Sequence, residues 1–311
     1  MGSESLAEQE GVNLSNAEER RTFVDSLQST QLREVKNDLA LAAYKNDIRE
    51  RLGVDKNYIE QWWSWITNAV QGDLGTTITG NRSVADEIGK RLPVSLQLGA
   101  IAMVFGALVA IPTGIMSAVK QDKWPDYILR SVAIAMLALP SFFIATMVIG
   151  LSSRWWSYSF PTTYKDFWES PTGNLEIVVI PAIILGFQLS GTLMRLTRAQ
   201  MLEVMRQDYI RTARAKGLGA RTVVMGHAVR NALLPVITIL GLQVPVLIGG
   251  SLVLETIFAI PGVAQYLFTS IGSREFPSII AVNMVIALVI VVVNLVIDVA
   301  YGFLDPRVQL S

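Results

Sequence analysis

Five stretches of this chain are long enough and uncharged enough to cross the hydrocarbon core of a bilayer, which takes about 20 apolar residues in helical form. They are Val94–Val119, ended by Lys120; Ser131–Ser153; Ile177–Met194, closing on Arg195 and Arg198; Ala232–Leu254; and Pro277–Ile297. A soluble protein that buried five such helices would need far more polar covering than a 311-residue chain with 17% charged residues offers. In lipid every backbone polar group has to be satisfied within the protein, which leaves helices as the economical solution for runs of this length. The expectation is an all-α polytopic membrane helix bundle of about five transmembrane helices.

Basic residues in the short connections set the orientation. Lys120, Lys123 and Arg130 flank the first connection, and Arg195, Arg198, Arg206, Arg211, Arg214, Lys216, Arg221 and Arg230 crowd the third. Arg307 sits in the tail, whereas the alternate connections hold only Arg154, Lys165 and Arg274. The basic side and the C-terminus are expected in the cytoplasm. Residues 1–92 then form an extracytoplasmic, mostly helical segment, 93–304 the transmembrane domain with a cytoplasmic loop at 199–231, and 305–311 a cytoplasmic tail. In the first segment Ser15-x-x-Glu18 has the capping-box pattern, and Leu39, Leu41, Tyr44 and Ile48 recur at roughly helical spacing. Trp62, Trp63, Trp65 and Ile66 offer an apolar face to the membrane surface or to the bundle. The aromatic-rich stretch RWWSYSFPTTYKDFW, 154–168, suits headgroup level.

The balance of residue types excludes several functions. A formal net charge of zero argues against nucleic acid as a main partner. No cysteine is present, so neither disulfides nor thiolate metal sites can form, and the single His227 rules out the usual histidine clusters. No metal and no cofactor are expected, and His227 reads as a capping or packing group.

The charged third connection is the most informative segment. Glu203–Lys216 is rich in helix formers, with acids Glu203 and Asp208 early and Arg211, Arg214 and Lys216 late, which complements the helix dipole. Gly217 and Gly219 then break the helix, Gly217 being placed for a left-handed cap. A second helix, Ala220–Asn231, runs into the fourth span, with Pro235 in its first membrane turn. Tyr209, Ala213 and Lys216 share a face, and Ala215 and Gly217 are small enough for another backbone to approach closely. On these residues alone the elbow is either a knob for a protein socket or an anchor to anionic lipid through its arginines.

The segments DYIRTARAKGL and HAVRNALLPV resemble the signature loop of the dipeptide, oligopeptide and nickel permease family of ABC importers. QGDLGTT (71–77), EIGKRLPVSLQLG (87–99), LPSFF (139–143), RLTRAQMLEVMRQDY, LETIFAIPGV (254–263) and DPRV (305–308) match in register, so the resemblance covers about residues 56–308. Leu234-Pro235 follows the glycine late, as in this subfamily. The resemblance implies a type I ABC importer permease fold in the inner membrane. It also implies a coupling helix seated in a cytosolic ATPase, with Asp208, Tyr209, Thr212, Ala213, Ala215, Lys216 and Gly217 in the coupling loop. The partners implied are a related permease subunit, two cytosolic ABC ATPases and an extracytoplasmic solute-binding protein, with a short peptide or a nickel chelate as solute. The chain carries no GxxxxGK[ST] phosphate loop, so it is expected to be no enzyme and to leave ATP chemistry to its partners. Members of the family usually begin with a further transmembrane helix that has no counterpart here. Truncation is the favoured reading, with a separately supplied or dispensable span as alternatives.

Polar groups deep in the spans must face protein or water, which makes Gln188, Ser190, Gln243 and Asn283 candidates for the translocation pathway. Glu255, Pro261 and Gly262 are candidates for an external gate or receptor contact, a solvated interfacial carboxylate being the plainer reading of Glu255. Asn294 and Asp298, one turn apart, suit interhelical hydrogen bonding better than pathway lining. Pro112, Pro140, Pro181 and Pro245 interrupt spans and are expected to kink them. Two other classes stay open: a non-transporting or truncated scaffold, and an intramembrane enzyme. The second needs a deep nucleophile or acid pair, and Asp298 stands alone.

Overall fold

The computed structural model describes residues 41–43, 57–161 and 163–304, and the chain divides into two compact units, Met1–Leu74 and Gly75–Ser311. In the first unit the helix α1, Tyr58–Val70, carries Ile59, Trp62, Trp63 and Val70 exposed along one stripe. The capping box at Ser15 and Glu18, the apolar positions Leu39, Tyr44 and Ile48, and the DPRV tail lie outside the described residues.

Among its described residues the regular structure of the second unit is helical apart from one isolated bridge between Thr76 and Ser83. Its first helix, α2 (Val84–Val119), starts where the Ser83 hydroxyl accepts the Asp86 N–H at 3.3 Å, with Asp86 and Glu87 in the first turn. At 36 residues it is about 54 Å long, well beyond the hydrocarbon core. It runs through both Pro93 and Pro112. Next come α3 (Trp124–Ala138) and α4 (Ser141–Trp156), then α5 (Pro171–Met205), the short α6 (Asp208–Ala215) and α7 (Ala220–Leu242). The chain closes with α8 (Val244–Gly250), α9 (Leu252–Ile257), α10 (Val263–Gly272) and α11 (Phe276–Leu304).

Among the described residues four helices are long and apolar enough to span a membrane, namely α2, α5, α7 and Phe276–Ile297 of α11; α3 and α4, bent by 93° to each other, make a fifth if they form one span. The bend falls at Leu139–Pro140: Leu139 is extended at φ −88° and ψ 118°, and Pro140 caps α4. A residue ahead of proline is driven from the helical region, and here nothing overrides that preference. Pro112 and Pro181, by contrast, sit within unbroken helices, so only some of the expected kinks break a span. The fourth span is α7 followed by a break at Gln243, with Pro245 in the first turn of α8.

The core is the crossing of α2 and α5. Van der Waals packing rather than exclusion from water drives helix association in lipid, so close approach of backbones is what counts. A Cβ on Gly106 would lie 2.9 Å from Leu189 Cδ2, and Gly186 lies against the Ala102 carbonyl. Leu98, Ala102, Val178, Ala182 and Leu193 fill the seam, fully buried.

Candidate functional site

The charged connection forms an elbow with a built root. α5 ends at Met205, two residues turn the chain, and α6 begins at Asp208. At its end the Leu218 N–H returns to the Ala213 carbonyl at 3.4 Å and the Gly217 N–H to Arg214 at 3.0 Å, with Gly217 left-handed at φ +79°. This is the double closure of a Schellman cap, and it favours glycine at that position. The chain then re-enters α7, whose residues Val223–Ala228 are wound as a π-helix.

Ile210 and Ala213 turn inward onto Ala118 of α2, Met201 of α5 and Val223, Ala228, Val229 and Ala232 of α7. Asp208, Tyr209, Thr212, Ala215, Lys216 and Gly217 are exposed. Ala213 therefore belongs to the root of the elbow rather than to its outer face. Ile210, which the sequence reading did not single out, is its fully buried anchor. The Tyr209 hydroxyl accepts the Asn231 amide at 3.0 Å, tying the two arms together. His227 contributes its carbonyl to the same Asn231 amide at 2.9 Å.

Next to the elbow root lies an ion pair that sequence reasoning missed. Asp126, at the start of α3 and fully buried, accepts two hydrogen bonds from Arg198 of α5, from Nε at 2.8 Å and Nη2 at 2.7 Å. Ser117 of α2 donates to the same carboxylate, as does the Asp122 N–H at 3.1 Å. Three helices meet at one carboxylate with all its donors in place, the condition under which a buried charge is tolerated. Close packing surrounds it: a Cβ on Gly114 would come 2.6 Å from Thr197 Cβ.

At the opposite end of the bundle Glu255 is fully buried, contrary to the expectation of a solvated interfacial carboxylate. Its oxygens accept from Ser95 of α2 at 2.8 Å, from Ser251 at 2.7 Å and from the Gln265 N–H at 2.8 Å. Ser95 in turn accepts the Val263 N–H at 2.8 Å. Gly262 lies against the Glu255 carboxyl group so closely that a side chain there would displace it. Ile260 is buried and Pro261 half-buried in the same turn. The carboxylate is thus the internal fastener of the LETIFAIPGV turn, joining α9 and α10 to α2.

A second carboxylate at that end, Glu275, accepts the N–H groups of Ile78 at 2.6 Å and Thr79 at 2.8 Å, and the Thr79 hydroxyl. Burial acts to raise its pKa, but these donors outweigh burial and hold it below the ordinary carboxylate value.

The remaining candidates are scattered. Gln188 donates to the Leu139 carbonyl at 2.9 Å, and Ser190 to its own helix at Gly186, 2.7 Å. Gln243 sits half-buried at the break between α7 and α8, and Asn283 is exposed, its amide returned to Ile279 at 2.8 Å. Asn294 is half-buried on α11; the side chain of Asp298 lies outside the described residues. The structure does not bring Gln188, Gln243 and Asn283 together as one cluster.

Spanning helices interrupted by a glycine-capped elbow define a polytopic membrane bundle, and comparison with known proteins gives its class. Residues 110–310 match the family described as binding-protein-dependent transport system inner membrane component. The chain is 36% identical to the glutathione transport system permease protein GsiC of Escherichia coli (strain K12) over 262 residues, 84% of this chain and 83% of that protein. It is 34% identical to the dipeptide transport system permease protein DppB of Alkalihalophilus pseudofirmus over 283 residues, 85% of each. The fold resembles that of the MetNI methionine ABC transporter, with TM-score 0.57, 14% identity, 70% of this chain and 96% of that one. An amino acid ABC transporter crystallised with histidines gives TM-score 0.51, 15% identity and 72% and 94% coverage. This chain belongs to the binding-protein-dependent transport system inner membrane component family, and it is a permease subunit of an ABC importer.

Proposed function

We propose that the chain forms one half of a translocation pathway for a short peptide, with glutathione and dipeptides, the solutes in the names of its relatives, as the first candidates. A nickel chelate is the second candidate, resting only on the resemblance of the elbow to the wider subfamily. The elbow and the C-terminus face the cytosol and residues 1–92 the other side. A related permease subunit completes the pathway, two cytosolic ATPases take the elbows, and an extracytoplasmic solute-binding protein delivers the solute. The chain hydrolyses nothing itself.

The observation that carries this reading is the division of α6 into two faces. Ile210 and Ala213 root it in the ends of three spans, while Tyr209, Thr212, Ala215, Lys216 and Gly217 are exposed. A helix so anchored passes a push on its exposed face directly to the spans, because packed interfaces move as units. An anchor to anionic lipid would need only the exposed arginines and no apolar root. Within the bundle, Gln243 at the broken fourth span and Asn283 and Gln188 are the pathway candidates. Glu255, Pro261 and Gly262 would form a gate that moves as one piece under the solute-binding protein.

The test is reconstitution of the chain with its sister subunit, ATPases and binding protein in vesicles. ATP-dependent accumulation of labelled dipeptide or glutathione is expected. Retention of ATPase activity with no accumulation of any peptide or nickel chelate would instead favour the scaffold.

A further inference from the structure

The bent second span is held very differently on its two sides. Its first half, α3, is strapped to α5 along its whole length. At the elbow end the Asp126–Arg198 pair closes the strap at 2.7 and 2.8 Å. Midway the two backbones nearly touch, for a Cβ on Gly191 would come 2.9 Å from the Ala133 carbonyl. At the break Gln188 Nε2 donates to the Leu139 carbonyl at 2.9 Å. From Asp126 to Leu139 is about 20 Å of helix, so the three fastenings cover α3 from end to end.

The second half, α4, leaves at 93° and divides its packing between α5 and α9, the helix that carries Glu255. Phe160, just beyond α4, meets Phe258, just beyond α9, edge to face at 5.4 Å. α4 is therefore shared between α5 and the far-end turn, whereas α3 is held by the helix that enters the elbow.

Chemistry at the break explains why Gln188 matters. Leu139 is extended, and the N–H groups of Phe143 and Ile144 turn to the Pro140 carbonyl at 3.1 and 3.2 Å. The Leu139 carbonyl thus has no acceptor role within its own span, and at membrane depth an unsatisfied carbonyl is costly. The Gln188 amide fills that role and holds the bend on α5.

We propose that the Leu139–Pro140 break is the joint through which motion of the elbow reaches the far-end turn, and that Gln188 is the positioning residue that fixes its angle. α3 travels with α5, the Ser117 end of α2 and the elbow root as one body; α4 travels with α9, the Glu255 turn and the Ser95 end of α2 as another. The inference rests on the reading of the elbow as the driven element, and its test separates the two.

The chain has no cysteine, so cysteine pairs for spin labels can be placed in it directly. Val132 on α3, Met147 on α4 and Thr192 on α5 are all exposed. In the assembled transporter the Val132–Met147 distance should shift between nucleotide-free and ATP-bound states, while Val132–Thr192 stays constant. Gln188→Met keeps the length of the side chain but not the donor. It should broaden the Val132–Met147 distribution in every state and lower solute moved per ATP about tenfold, the factor for one stranded carbonyl at about 1.4 kcal/mol.

A complex that transports normally with a fixed Val132–Met147 distance overturns the joint and leaves the proposed function standing. Unchanged coupling in Gln188→Met overturns the role of Gln188. If that variant fails to assemble, the two distances in the unaltered chain decide. A complex that moves no solute under any condition overturns the function, and the joint with it.

Discussion

Replacing Asp126 by alanine removes the one group on which α2, α3 and α5 converge. The carboxylate is fully buried and accepts four hydrogen bonds, two from Arg198, one from Ser117 and one from the Asp122 N–H. Alanine strands the guanidinium, whose side chain is only 18% exposed, and a serine hydroxyl with no exposure at all. Removing one partner of a buried pair costs about 3–5 kcal/mol, and each stranded neutral donor about 1 more. Arg198 recovers part of this by extending its long stem toward water. The expected loss is therefore about 4 kcal/mol. Asp208→Ala makes the control, since its pair with Arg211 spans 3.6 Å with both side chains largely in solvent and should be worth under about 1 kcal/mol. Unfolding in mixed micelles followed by tryptophan fluorescence reads the difference, with Trp124 two residues from the altered site. Asp126→Asn keeps the shape and an acceptor and should fall between. If Asp126→Ala and Asp208→Ala unfold within about 1 kcal/mol of each other, the carboxylate does not join the three helices.

Three further outcomes are expected. Gly217→Val forces a β-branched residue into a left-handed position. It should loosen the elbow by about 1–2 kcal/mol and let ATPase activity run without proportionate transport, read as solute moved per ATP in vesicles. Glu255→Ala should leave the Gln265 N–H and the Ser95 hydroxyl without the acceptor that Glu255 supplies. Hydrogen exchange over 259–272 should then accelerate by an order of magnitude or more, whereas the elbow amides stay unchanged. Glu275 contributes stability that is fully present above its ordinary value of 4.5 and is lost as pH falls through the lower value it has in the folded chain. Limited proteolysis of residues 75–83 should accordingly increase as pH falls below about 4.5 and show no such dependence in Glu275→Gln.

How much of this could be read from residues alone differs from one feature to the next. The elbow was legible because its signals are local, a glycine at its end and a charged segment between two apolar ones, but the single helix expected over Glu203–Lys216 is split, with Glu203 in the last turn of α5 and Asp208 starting α6. Which face of α6 turns inward was not, because Ile210 and Ala213 are buried by Met201, Val223 and Ala118, which only the fold assembles. The Asp126–Arg198 pair escaped for the same reason. The two residues lie 72 positions apart, and each stands in a charged connection where solvation is the natural reading. Glu255 was expected to be solvated, yet its partner Ser95 is 160 residues away, and no window of sequence reveals that contact. Proline was only half informative. Pro140 breaks a span because Leu139 goes extended and Gln188 of another helix stabilises the exposed carbonyl, whereas Pro112 and Pro181 remain inside helices held by the α2–α5 seam.

The proposed function requires that a nucleotide-driven subunit grip the elbow. Lys216→Cys, in a chain otherwise free of cysteine, places a single photocrosslinker on the exposed face of that elbow. In inside-out membrane vesicles from cells expressing the whole transporter, it should crosslink to the ATPase subunit with a yield that changes on adding ATP. A label at Lys216 that reacts with impermeant reagents only from the outer face of intact cells, and never crosslinks to the ATPase, would contradict it.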